Sequence, residues 1–121
     1  MITQIQDVPA NMVAFRSSGQ VTKDDFEVVF DKVKQLVQNT GKLNCLLLLE
    51  NSPADFTAGA WLQDALLGIR HITKWNRAAI VTDSQNVVAF TDAFSKLMPG
   101  EFKGFYKDEF LTAVDWTAEK I

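Results

Sequence analysis

The chain has 121 residues, 47% of them apolar, with 12 basic against 15 acidic residues and a net charge of −3. That length and apolar content suit one domain over residues 1–121 with one continuous core, and no basic cluster is present to neutralise a run of nucleic-acid phosphates. The single cysteine, Cys45, excludes an internal disulfide and a cysteine-based zinc site.

Residues 1–7 carry neither the basic start nor the apolar stretch of a signal peptide, and no apolar run approaches the ~20 residues that span a bilayer. A soluble protein in a reducing, cytoplasmic compartment is expected, with docking on the inner membrane face left open. Val8-Pro9-Ala10-Asn11 reads as a turn between short strands over 2–6 and 12–17, which a connection this short joins as an antiparallel pair. Thr22 is placed to cap the helix that follows. Asp24 and Asp25 lie in its first turn, Phe26, Val29, Phe30, Val33, Leu36 and Val37 recur at helical spacing, and Gly41 supplies a left-handed C-cap.

Leu43 to Leu49 is an apolar run of seven residues, too short for a helix between Gly41 and Pro53, and it is expected to be the fully buried central strand. A second helix is expected over about 57–73, after a loop containing Asn51-Ser52-Pro53. Residues 77–82 form the next strand, and Asp83 or Ser84 caps a third helix running to about Met98. Pro99-Gly100 stops it, residues 102–106 form a short strand, and Asp108 caps a last helix carrying Phe110, Leu111, Val114 and Ile121. The order ββαβαβαβα predicts an α/β fold. Its five-stranded sheet is mixed but mostly parallel, opened by a β-hairpin, with right-handed crossovers and four main helices.

Candidate chemistry is sparse. His71, the single histidine, lies inside the expected second helix, and no spacing brings it partners for a triad or a metal site. Asp83-Ser84 lacks a nucleophile-elbow motif, and helix capping accounts for both residues. The six glycines are scattered, so neither a phosphate-cradling loop nor a dinucleotide fingerprint is present. Asp24-Asp25 and Asp108-Glu109 sit in first helical turns, where acids meet the helix dipole favourably by about 0.3–1 kcal/mol. Cys45 reads as a small inert hydrophobe. Neither a catalytic residue, a metal nor a cofactor is expected.

The second helix carries more apolar surface than packing requires. At about 100° per residue, Trp61, Leu62, Ala65, Leu66, Ile69 and Ile72 form one broad stripe, while Leu67 points nearly opposite beside Ala60. One account is a well-buried helix with Leu67 as a tolerated surface leucine. The other is a lid over an apolar cavity whose outer side, Leu67 with neighbouring Trp75, touches a second subunit in a homodimer or lipid headgroups.

With the order ββαβαβαβα, the strand Arg77-Ala78-Ala79-Ile80-Val81-Thr82-Asp83 and the ending Phe105-Tyr106 to Ala113-Val114-Asp115-Trp116, the chain resembles the SpoIIAA-like proteins, which belong with the STAS and Sec14-like domains. Similarity to Sec14-like domains implies a sheet floor, gating helices, a pocket for a lipid-like or other small apolar ligand, and peripheral membrane association. In that setting Trp61, Leu62, Leu66 and Ile69 are chosen to line the pocket with Val87, Phe90 and Phe94, giving a non-enzymatic binding module. Similarity to STAS anti-sigma-factor antagonists implies instead a regulatory protein-interaction domain switched by phosphorylation of a serine in an Asp-Ser-x-Gly-like motif. The matching stretch reads Ala54-Asp55-Phe56-Thr57-Ala58-Gly59, which makes Thr57 the nearest hydroxyl but lacks the Asp-Ser pair.

Overall fold

The computed structural model describes residues 1–19, 21–50, 74–97 and 100–120, apart from the side chains of Phe90, Ala93, Phe94 and Leu97. Strands β1 (Ile2–Ile5) and β2 (Val13–Ser17) pair antiparallel, as the short connection demands. Helix α1 (Lys23–Thr40) opens on a capping box: the Thr22 hydroxyl accepts the Asp25 N–H at 3.4 Å, and the Asp25 carboxylate accepts the Thr22 N–H at 2.9 Å. The same carboxylate accepts the Ile2 N–H at 3.3 Å, which ties the first strand to the helix start. Gly41 closes α1 at φ 77°, its N–H donating to the Val37 carbonyl at 2.8 Å.

Strand β3 (Leu43–Leu49) follows, then β4 (Trp75–Thr82), α2 (Gln85–Phe94) with a 3-10 turn at Ser95–Leu97, β5 (Glu101–Tyr106), a 3-10 turn at Lys107–Glu109, and α3 (Phe110–Thr117). The sheet order is β1-β2-β3-β4-β5, with every pair after the hairpin parallel. This is the expected mixed sheet with β3 at its centre. Three α-helices are present among the described residues, and the helix expected over 57–73 lies outside them.

Several boundaries differ from expectation, most by a single residue and three of them with an identifiable cause. β4 begins two residues early, so Trp75 is a strand residue, held there by a ring contact with Phe102 at 4.9 Å between centroids. The helix after Ser84 tightens into its 3-10 turn at Ser95, short of Met98. The last helix starts at Phe110 rather than after Asp108, because the 3-10 turn brings Glu109 three residues beyond Tyr106, where its carboxylate accepts the Tyr106 N–H at 3.0 Å. Along that helix Phe110 and Val114 turn toward the core, while Leu111 is 77% exposed.

The sheet has two unequal faces. Even-numbered Leu46 and Leu48 of β3 join Met12, Ala14, Ala79, Val81 and Phe105 beneath Ala113, Val114 and Ala118, and this side is closed. On the other side α1 packs Val33 and Leu36 on Val13, Phe15 and Leu43. There Cys45, Leu47 and Leu49 are half-buried, so among the described residues β3 is more closely covered on the α3 face. α2 lies on this same side, as close to β5 as backbone contact allows: a Cβ on Gly104 would stand 2.7 Å from the Val88 Cα.

Although Cys45 is only half-buried, its thiol is surrounded by enough protein that desolvation pushes its pKa up to about 12. It is a thiol, not a thiolate, near neutrality. Because the folded value lies above the ordinary one, the protonated form stabilises the fold below about pH 8.5, and that contribution is lost as pH rises toward 12.

Two measurements check this packing. Gly104→Ala should lower the unfolding free energy by roughly 1–3 kcal/mol in urea titrations, the cost of forcing a methyl group against helix backbone. Between pH 8 and 10.5 the wild-type chain should lose on the order of 2 kcal/mol more stability than Cys45→Ala, and equal losses would show that the thiol is not desolvated.

Candidate functional site

Of the seven residues chosen for a pocket, Val87 is described in full. It stands in the first turn of α2, half-buried, its N–H donating to the Ser84 hydroxyl at 3.3 Å and its carbonyl accepting from Thr91 Oγ1 at 2.8 Å. Ser84 is therefore the residue that caps α2. Asp83 instead pairs with Lys107 at 3.2 Å. Phe90 and Phe94 belong to the same helix, three and seven residues beyond Val87. Trp61, Leu62, Leu66 and Ile69, together with Leu67, Thr57 and His71, lie outside the described residues.

Sheet registry decides what lies on the α2 side. Cys45 pairs with Ala78 and Leu47 with Ile80, and Ile80 in turn pairs with Gly104, over which α2 runs. On this face Cys45, Leu47, Leu49 and Ile80 are half-buried, while Ala78 and Thr82 beside them on β4 are buried. Their neighbours one residue along, Leu46, Leu48, Ala79 and Val81, are all buried on the opposite face. Trp75 ends this side at the amino-terminal edge of β4. At the other end, Arg16 with Glu50 and Lys107 with Asp83, each 3.2 Å apart, set charged pairs around the carboxyl ends of the strands.

The amino-terminal end of the sheet holds a polar cluster instead. Leu43 faces Trp75 and Asn44 faces Arg77, so Asn76 is an extra residue that bulges β4. Its amide nitrogen donates to Asn44 Oδ1 at 2.8 Å, and Asn44, 2% exposed, donates to the Asn11 carbonyl at 3.1 Å. The Glu119 carboxylate lies beside both amides. Asn76 is the stronger influence, and with Lys42 3.8 Å away the carboxyl is held below its usual pKa. Glu119 adopts φ 63°, a left-handed conformation uncommon for a residue with a side chain. Arg77 completes the clamp, donating to the Trp116 carbonyl at 2.7 Å with its guanidinium 5.0 Å from the Trp116 ring centroid.

Sequence reading treated residues 43–49 as uniformly apolar and so missed Asn44. The available signal was a pair of asparagines, Asn44 and Asn76, near the starts of two neighbouring parallel strands. What this cluster does is anchor the end of α3 across β3 and β4. Among the described residues no group of three or more His, Cys, Asp or Glu is placed to hold a metal ion, and no helix is long and apolar enough to cross a membrane.

Comparison with known proteins agrees with this architecture. An uncharacterised protein of the DUF3478 family from Shewanella loihica PV-4, whose crystal structure has a SpoIIAA-like fold, superposes with a TM-score of 0.67 at 24% identity, covering 96% of this chain and 93% of that one. No curated protein matches. The sequence pattern of the SpoIIAA-like family matches residues 12–118, a span that holds β2 through β5 and all three described helices. The chain belongs to the SpoIIAA-like family.

Proposed function

We propose that this SpoIIAA-like domain is a non-enzymatic binding module for a small apolar or lipid-like ligand, seated on the α1 and α2 side of the sheet. The observation that carries the reading is the row Cys45, Leu47, Leu49 and Ile80, central in the sheet yet only part-buried, while the opposite face of the same strands is closed. At about 25 cal/mol per Å², covering such a surface favours an apolar occupant over water. Val87 stands on the helix over this side, and the protonated thiol of Cys45 adds an uncharged wall. Leu67 is the residue proposed for contact with a membrane surface or a second subunit.

Native mass spectrometry of the purified chain should show a fraction carrying a small apolar molecule. Val87→Asp should weaken its retention by tenfold or more, because an unpaired carboxylate facing an apolar ligand costs well over 1.4 kcal/mol. An acid in the first turn of α2 is compatible with the helix dipole, so the variant tests ligand contact rather than folding. Leu67→Glu should separately reduce co-sedimentation with phosphatidylglycerol vesicles or dissociate a dimer. A ligand-free chain whose vesicle binding and mass are unchanged by Leu67→Glu would contradict the proposal.

A further inference from the structure

Strand β5 is an edge of the sheet, hydrogen-bonded to β4 on one side only. Backbone groups in a parallel ladder point alternately to the two neighbours, so every second N–H of an edge strand has no strand to bond. Such a row is a template for pairing with a strand from another molecule. In β5 three alternate amides are met by side chains. The Phe102 N–H donates to the Ser95 hydroxyl at 2.8 Å, the Gly104 N–H to Asp92 Oδ1 at 2.9 Å, and the Tyr106 N–H to Glu109 Oε1 at 3.0 Å.

The three acceptors come from three different elements. Asp92 lies in α2 and Ser95 begins the 3-10 turn after it, while Glu109 ends the 3-10 turn that follows the strand. α2 reaches the edge because residue 104 is glycine; any side chain there would meet Val88. Asp92 and Glu109 are exposed and need no bond to the backbone to satisfy their carboxylates, since water would serve.

We propose that Ser95, Asp92 and Glu109 together form a side-chain cover that closes the β5 edge to strand addition by a second copy of this chain. An incoming strand must displace three formed hydrogen bonds, two to carboxylates, before it makes its own. It also brings its carbonyl oxygens toward those two negative charges, which repel them. The cover works without Pro or a bulge in the strand, so β5 keeps regular pairing with β4 across residues 101–106.

Amide exchange followed by NMR on the full chain reads the cover directly. Asp92→Ala should cut protection of the Gly104 amide roughly tenfold, as loss of a hydrogen bond to a charged acceptor implies, while leaving the Phe105 amide unchanged. Asp92→Asn, which retains an oxygen acceptor, should recover most of it. The combined variant Asp92→Ala, Ser95→Ala, Glu109→Ala should self-associate in sedimentation velocity at concentrations where the parent does not. If that combination does not fold, Asp92→Ala with Glu109→Ala replaces it in the same measurement. Unchanged Gly104 protection in Asp92→Ala, or a folded variant that associates no more than the parent, would overturn the proposal.

Discussion

Everything in this fold hangs on strand β3, which is paired on both edges and therefore has to find cover on both faces. Its even-numbered residues find it completely, under Ala113, Val114 and Ala118 of the carboxyl-terminal region. Its odd-numbered residues find it at Leu43, beneath α1, and less at Cys45, Leu47 and Leu49. A single strand with alternating side chains thus has one row fully buried and, among the described residues, one row half-buried. The functional proposal rests on that inequality.

The closed side is held by more than apolar contact. Side-chain amides and a half-buried guanidinium fix where α3 ends, with Asn11 donating to the Ala118 carbonyl at 2.8 Å, Arg77 to that of Trp116, and Asn76 to the buried Asn44, which donates in turn to the Asn11 carbonyl. Polar contacts of this kind add little net stability, about 1 kcal/mol each, but leaving any one partner unsatisfied costs more than making the bond returns. They therefore select one register for β4 against β3 and one position for the helix. Glu119, in its left-handed conformation, pairs with Lys42 at 3.8 Å.

Much of this was legible in the sequence wherever a local rule governed. The hairpin, the Thr22 cap with Asp25, the Gly41 stop and the bounds of β3 all follow from residues within a few positions of one another. What escaped were features made by distant parts of the chain. Asn44 looks out of place in a leucine strand until Asn76 and Glu119 arrive from 32 and 75 residues away. Trp75 read as a neighbour of Leu67 on the outer side of the expected second helix, because nothing nearby reveals Phe102 as its ring partner. The glycine at 104 carries no meaning until Val88 lies over it. For the site, the sequence marked Val87 on the helix beside the sheet. It could not mark Cys45, Leu47 and Ile80 as a part-open floor, since exposure of a strand face is decided by the elements above it.

The central claim is that the α1 and α2 side of the sheet accepts an apolar guest and the α3 side does not. Methyl-detected NMR during titration with a medium-chain fatty acid distinguishes the two faces residue by residue. The account predicts saturable shifts at the methyl groups of Leu47, Leu49 and Ile80, with those of Leu46, Leu48 and Val81 unmoved. No saturable shift at Leu47 and Ile80, or shifts of equal size on both faces, would contradict it.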